Sequence, residues 1–533
     1  MFFSTPPKLS RRHLLKAAAF SAALLASTSL TRYAFAESAE TGPFDFELFT
    51  ERMEALAQTA YEPALPPLPE LYASLNYDGY RMVQFNAAKA KWADAGLGYQ
   101  VHAFPMGWLF KEPVAVSEIV GGNAHAIGFQ TADFKFYDAE MKATAEAEPF
   151  PGVAGMRINY PLNRPGVSDE LVSFLGASYF RALGRDNIYG LSARGLLINS
   201  WRDGPEEFPR FSEFYLEKPA APTDPLTMYA ALESQSVTGA YRFVITPAGP
   251  NRQETVMEVT ARLFFRADVP ELGIAPLTSM FLFAETNRAG FDDYRPQVHD
   301  SNGLILVRES GETMWRALDN SSTLGNTYLW DANPKAFGLY QRDRNFETYQ
   351  DAGAHYERRP SIRVEPVDGF GQGTVRLIEI PSKLEADDNI VAFWIPTDPV
   401  KAGDTREFHY RLVWGDLLPQ VDSPLAYVAE TRAGQGGISG VENAATLRKF
   451  VVDFKGGELE AMEPDAPLEV KAEASAGKIT STTLSKVAAN DVWRLVLDVE
   501  TDGQTLIELK ASVSANGMPI TETWLYQWRG AAA

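Results

Sequence analysis

Carboxylates are the side chains with which this sequence could do chemistry. Val298-His299-Asp300-Ser301-Asn302-Gly303 sets an Asp in a polar turn, just before the apolar run Leu304-Ile305-Leu306-Val307. Glu385-Ala386-Asp387-Asp388-Asn389 stands immediately before the apolar run 390–394, which reads as a buried strand. An acid at the mouth of a strand can be half buried, and a neighbouring like charge raises its pKa, as a general acid requires. Two such carboxyls can hydrolyse an acetal: one protonates the leaving oxygen, and the other activates water or attacks. The plainer reading of each cluster is an Asp-rich turn that caps its own backbone. With 69 acidic residues in the chain, pattern alone selects no pair. Trp, Tyr and Phe are plentiful, and their faces can cover sugar rings, but most aromatics in a large β protein form its core.

Other chemistries lack their residues. The histidines beyond His13 (102, 125, 299, 355 and 409) are scattered, with no HExxH, so no metal site is expected. The absence of cysteine removes disulfides, thiol nucleophiles and thiolate metal sites. There is no GxSxG, P-loop or dinucleotide fingerprint, and Gly121-Gly122 alone is no phosphate loop, so no cofactor is expected. A net charge of −20 repels phosphate backbones and argues against nucleic acid as a partner.

Residues 1–36 carry five basic residues and no acidic one, so their removal takes the net charge from −20 to −25. Ser10-Arg11-Arg12-His13-Leu14-Leu15-Lys16 is a twin-arginine pattern, followed by an apolar run to Leu30 and the A-x-A site Ala34-Phe35-Ala36. This predicts an export signal cleaved after Ala36 and a periplasmic destination. No other segment has the ~18 consecutive apolar residues of a membrane helix, so no membrane span is expected in the mature protein.

The elements that must position these acids read mainly as β. Residues 44–60 put Phe46, Phe49, Met53, Leu56 and Ala57 at helical spacing, ended by Pro63, Pro66, Pro67 and Pro69. Residues 169–183 read as a short helix interrupted by Gly176. Residues 258–266 and 277–283 are rich in β-branched and aromatic types and read as strands. Lys218 to Pro225 reads as a surface loop or a second boundary. The clearest boundary is 397–405, where Pro, Gly and Asp cluster. Beyond it, period-2 runs (Phe408, Tyr410, Leu412, Trp414; Leu468 to Ala474; Trp493 to Val499; Ile507 to Val513) predict an immunoglobulin-like sandwich. The predicted division is a signal over 1–36, a β-sandwich domain over 37–397, a linker over 398–405 and a domain over 406–533.

Longer strings carry a resemblance. Gly338-Leu339-Tyr340-Gln341-Arg342-Asp343-Arg344-Asn345-Phe346, Tyr349-Gln350-Asp351 and His355-Tyr356-Glu357-Arg358-Arg359-Pro360-Ser361 resemble the periplasmic osmoregulated glucan biosynthesis proteins, types G and D. So do Glu379-Ile380-Pro381, the run from Asp388 to Trp394, Val298-His299-Asp300-Ser301, Leu75-Asn76-Tyr77-Asp78, the run from Phe174 to Ala182 and that from Tyr189 to Gly195. The twin-arginine signal is similar to the D type. The resemblance implies a large N-terminal β-sandwich like the galactose mutarotase supersandwich, followed by a smaller immunoglobulin-like domain. It implies β-1,2-linked glucan as the ligand and, for the D type, an inverting endo-β-1,2-glucanase. By the same resemblance Asp388 is the general acid and Asp300 the general base, with protons relayed through water and a substrate hydroxyl. Tyr356 and Arg359 would lie along the glucan, Glu385 would help set the acid, and His299 and Gln341 would complete the substrate site. The alternative for Gln341, Arg342, Asp343 and Arg344 is a structural hydrogen-bond network. An inner-membrane glucan glucosyltransferase and a second copy of the chain are the candidate protein partners. Two other functions stay open: a glucan-binding or assembly factor without catalysis, and a mutarotase-like epimerase suggested by fold analogy alone.

Overall fold

The computed structural model describes residues 42–530 apart from 64, 203, 418, 420–422, 439, 441 and 443–445. The predicted export signal lies outside the described residues.

The architecture is mainly β, a sandwich of large sheets. One sheet of ten strands runs in the order Gly325–Asp331, Gly373–Glu379, Ile390–Pro396, Leu272–Ser279, Ser192–Arg194, Tyr179–Ala182, Asp169–Leu175, Val153–Tyr160 and Gln100–Pro105, with Leu196–Ile198 also on Leu272–Ser279. It packs against a sixteen-stranded sheet that includes Leu226–Glu233, Val237–Thr246, Thr255–Phe265 and Thr405–Gly415. Aromatic rings fill the space between them. Phe174 stacks on Phe180 at 5.1 Å, both meet Phe243 at 5.5 Å, and Trp394 lies 6.1 Å from Phe370. Burial of such rings is the main stabilising term of a core.

The predicted N-terminal helix forms over Phe46–Ala57. Asp45 caps it by accepting from the Leu48 amide at 2.8 Å, and Phe49, Met53 and Ala57 form its buried face. The helix predicted over 169–183 is instead a hairpin of Asp169–Leu175 and Tyr179–Ala182. Gly176 and Ala177, at φ +74° and +36°, make the turn. The strand Asp169–Leu175 is buried on both faces at its centre, which erases the period-2 signal and lets the run imitate a helix. Lys218 to Pro225 joins two paired strands and is a hairpin loop.

Residues 406–415, predicted to open the C-terminal domain, lie in the large sheet. Thr405–Gly415 pairs with Thr255–Phe265 on one side and Ser361–Pro366 on the other, and Tyr410, Leu412 and Trp414 enter the main core. Alternation marks a half-buried strand but not the sheet to which it belongs. The second sandwich begins with Tyr427–Gln435. Its sheet of four strands (with Leu447–Lys455, Val492–Glu500 and Lys478–Val487) faces Leu468–Ala474, Leu506–Ala515 and Thr523–Arg529 across a core of Phe450, Val452, Leu495, Leu497, Trp524 and Tyr526. Thr523–Arg529 also pairs in parallel with Thr313–Ala317, which joins the two sandwiches through one continuous sheet.

Candidate functional site

The outer face of the ten-stranded sheet, turned away from the core, is built by register. Leu277 and Ala392 pair and point inward, so the next pair, Thr278 with Val391, points outward, and Ser192 pairs with Thr278 from the other side. Past this row the chain Leu272–Ser279 continues into Phe281–Phe283, and the two predicted acids flank that continuation. On one side Val298–His299 pairs with Phe281, and the Asp300 amide donates to the Met280 carbonyl at 2.8 Å. On the other side Ile390 pairs with Ser279. The Asn389 amide group there closes on Phe281, accepting from its N–H at 2.8 Å and donating to its carbonyl at 3.0 Å. Asp388 is therefore the neighbour of a clamp on Phe281, in the strand with which the Asp300-bearing segment pairs from the other side. The two acids are near enough for the charge of Asp388 to raise the pKa of Asp300.

The acids differ in setting. Asp300 is 6 % exposed, and burial pushes its pKa up to about 6. The Arg359 guanidinium opposes that rise, and the charges of Asp388 and Glu385 add to it. Arg359 Nε lies 3.4 Å from Asp300 Oδ1. Asp388 reaches solvent, yet the protein packed around it holds its pKa above the usual carboxylate range. Arg181 and Thr278 work against that rise and Asp387 with it. Glu385 is held ionised. Its partial burial works the other way, but Arg295 donates to Oε2 at 2.8 Å and the Tyr356 hydroxyl donates to Oε1. Arg295 also binds Asp293 and Asp351, each at 2.8 Å, so one guanidinium fixes three carboxylates beside the acids.

The remaining predicted site residues divide into two groups. Tyr356 and Arg359 come to the acids, Tyr356 through Glu385 and Arg359 directly. His299 and Gln341, expected to line the substrate site, are fully buried. The His299 ring stacks on Phe281 at 5.4 Å, its Nε2 is 2.5 Å from Gln297 Oε1, and burial drops its pKa to about 3. The Gln341 amide donates to the carbonyls of His299 and Tyr356 at 2.8 and 3.2 Å. Both tie the Asp300 turn to the Tyr356 loop from behind and position it. The neighbours follow suit: Arg344 donates to the Arg359 carbonyl, and Arg342 turns away to Glu522 at 2.7 Å.

Residues to which the sequence assigned no role complete the face. Arg181 and Arg359 lie 4.2 and 4.8 Å from the ring of Tyr189, which is exposed and has φ +48°. Tyr179 stands beside Arg194 at 4.9 Å. Arg181, Tyr179 and Tyr189 all fall within the strings that carry the family resemblance, which was the available signal. Asn389 falls in the string from Asp388 to Trp394 as well, whereas Arg295 had no local signal of its own. Among the described residues no group of three metal-ligating side chains is found.

The chain resembles known proteins along almost its whole length. A mainly β protein with an acid-bearing sheet face matches, over residues 44–528, the family described as "Periplasmic glucan biosynthesis protein, MdoG". It is 49% identical to Glucans biosynthesis protein G of Cereibacter sphaeroides over 98% of both chains, and 39% identical to Glucans biosynthesis protein D of Xanthomonas campestris pv. campestris, again over 98% of both. A Glucans biosynthesis protein G of Vibrio cholerae is 40% identical over 92% of this chain and 88% of its own. The chain belongs to the periplasmic glucan biosynthesis family. Relatives of both types align, and among these three the highest identity is to a G protein, whereas the D-like feature lay in the export signal. No helix among the described residues is long and apolar enough to cross a membrane.

Proposed function

We propose that this protein is an inverting endo-β-1,2-glucanase of periplasmic glucan biosynthesis, exported folded by the twin-arginine route with cleavage after Ala36. The observation that carries the reading is the seating of Asp300 and Asp388 on either side of one strand. Inverting enzymes keep their carboxyls ~6.5–9.5 Å apart so that water fits between, against ~5–5.5 Å in retaining ones. The strand Phe281–Phe283 between the two acids favours the wider arrangement. Asp388, open to solvent and with its pKa raised by the protein packed around it, serves as the acid toward the leaving glycosidic oxygen. Asp300, at about 6, is largely ionised at neutral pH and accepts a proton from the attacking water, directly or through a relay. Arg359 keeps that carboxylate from becoming too weak an acid. Glu385, ionised by Arg295 and Tyr356, adds negative field beside the developing oxocarbenium charge.

The test is incubation of the mature protein with linear β-1,2-glucan and chromatography of the products, with NMR of the anomer first released. Wild type should yield oligosaccharides of inverted configuration. Asp388→Asn and Asp300→Asn should each lose about 10²–10⁴-fold in rate while staying folded. Full activity in Asp388→Asn would refute the assignment. Binding of glucan without any products would favour the second reading, a non-catalytic glucan-binding factor serving an inner-membrane glucosyltransferase. That reading draws on the exposed aromatic Tyr189 set between two arginines, a suitable seat for a sugar ring.

A further inference from the structure

Bulky residues rarely adopt a left-handed backbone, and where one does the surrounding structure must hold it there. Trp201 has φ +47°, follows Asn199 at +57°, and is half exposed. Its loop is anchored from below. Glu206 accepts from Arg194 at 2.8 Å and from the Ser200 hydroxyl at 2.9 Å. The buried Arg376 donates to the carbonyls of Ser200 and Trp201 at 2.8 and 3.2 Å. The same two arginines carry aromatic side chains. Arg194 lies 4.9 Å from both the Tyr179 and the Phe208 ring, and Arg376 lies 5.3 Å from Tyr328. Phe208, Trp201, Tyr328 and Trp330 are each 50–54% or, for Tyr328, 57% exposed. A core would have buried them, and isolated exposure would need no explanation, but two buried guanidiniums hold Phe208, the Trp201 carbonyl and Tyr328, and Trp330 stands two residues beyond Tyr328 on the same strand face.

The path is continuous with the acids. The charge of Asp388 is felt by Tyr179, which meets Arg194, whose partner Glu206 holds Ser200 beside Trp201. Tyr328 pairs with Arg376, and Arg376 with Phe393, so this group sits on the outer face at the sheet's edge strand Gly325–Asp331. We propose that Phe208, Trp201, Tyr328 and Trp330 form a second, non-reacting glucan platform, which stacks glucose rings of the chain beyond the bond held at Asp300 and Asp388. The inference rests on the glucan reading of the site. It explains why a strained loop is fixed by buried ion pairs: a preset ring costs less to order when a flexible chain binds. The platform makes affinity depend on chain length, because only a long chain reaches both the acids and the edge.

The test measures glucan binding by affinity electrophoresis and calorimetry in an Asp388→Asn background, with linear β-1,2-glucans of graded length. Trp201→Ala and Tyr328→Ala should each weaken binding of long chains about tenfold. The shortest chains should be bound as before, and the melting temperature should be kept. Unchanged affinity for long chains in the double variant overturns the platform, whether or not the wild type hydrolyses glucan. An equal loss for short and long chains also overturns it, since that would be damage to the acid site. If wild type proves to have no hydrolase activity but the length-dependent loss appears, the platform stands and the catalytic reading falls. Failure of the wild type to bind glucan at all overturns both.

Discussion

Asp300 shows how one buried carboxyl links chemistry to stability. Its pKa of about 6 in the folded chain, against the ordinary 3.8, means that the folded state binds its proton more tightly than the unfolded one. Stability from this group is thus present at low pH and lost as pH rises from about 4 through 6. Asp300→Asn should gain stability relative to wild type over that window, by about 3 kcal/mol at most, and the gain should level off above it. Urea unfolding of both proteins at pH 4 and pH 7 measures this, and a difference that shrinks as pH rises would contradict it. Activity should move oppositely. A base at about 6 gives kcat/KM an acid limb there. Arg359 lowers that value, so Arg359→Met should shift the limb to higher pH, as read from a pH–rate profile. His299 adds an acid liability. It is held neutral by burial with a pKa of about 3, so its contribution is full above about 6.5 and fades as pH falls toward 3.

At the scale of elements, the short strand Phe281–Phe283 is the beam on which the site hangs. Val298–His299 brings Asp300 to one edge, and Asn389 fixes the other by three hydrogen bonds, to both polar groups of Phe281 and to the Ile380 carbonyl at 3.1 Å. The Ser279 and Ser301 hydroxyls, 2.7 Å apart, add a buried link across the same pairing. Asn389→Ala leaves these backbone groups unpaired in the interior and should cost about 2–4 kcal/mol of stability. Because it also frees Asp388, the turnover rate should fall by more than the lost folded fraction explains. Chemical denaturation together with kcat on the folded protein separates the two effects. A variant with normal kcat would show that the clamp does not aim the acid.

At the scale of the whole molecule, the two sandwiches are locked by buried polar contacts as well as by the shared sheet. Arg342 projects from the loop after Ala336–Tyr340, lies 3.6 Å from the Trp315 ring, and reaches across to Glu522 at 2.7 Å and the Val428 carbonyl at 2.7 Å. Both charged partners are almost fully buried. Removing one leaves the other unpaired, so Arg342→Ala should destabilise the protein by about 3–5 kcal/mol. Differential scanning calorimetry should then show a lower or split transition. A transition unchanged in midpoint would mean that this pair does not join the domains. Beside it, Asp343 and Glu430 face one another across the same junction with Glu285 near. Burial and the nearby charge of Glu285 raise both pKa values, and the hydrogen bond between the two carboxyls raises Glu430 further while opposing the rise at Asp343, so the pair holds a proton in common.

The sequence by itself determined what short-range physics can write. The helix at Phe46–Ala57, the alternating strands of the second sandwich and the absence of cysteine chemistry were all legible in it. So was the nomination of Asp300 and Asp388, though only through strings shared with a family, because 69 acids offer no periodicity that picks two. Tertiary structure decided the rest. Period-2 alternation is the same for any half-buried strand, so it could not tell that Thr405–Gly415 belongs to the large sheet, nor find two strands in a doubly buried run at 169–183. Likewise, the sequence names a histidine and a glutamine, but only packing decides that His299 and Gln341 face the interior while Tyr189 and Trp201 face solvent. Side-chain direction depends on register between strands far apart in the chain, and that is settled by the fold as a whole.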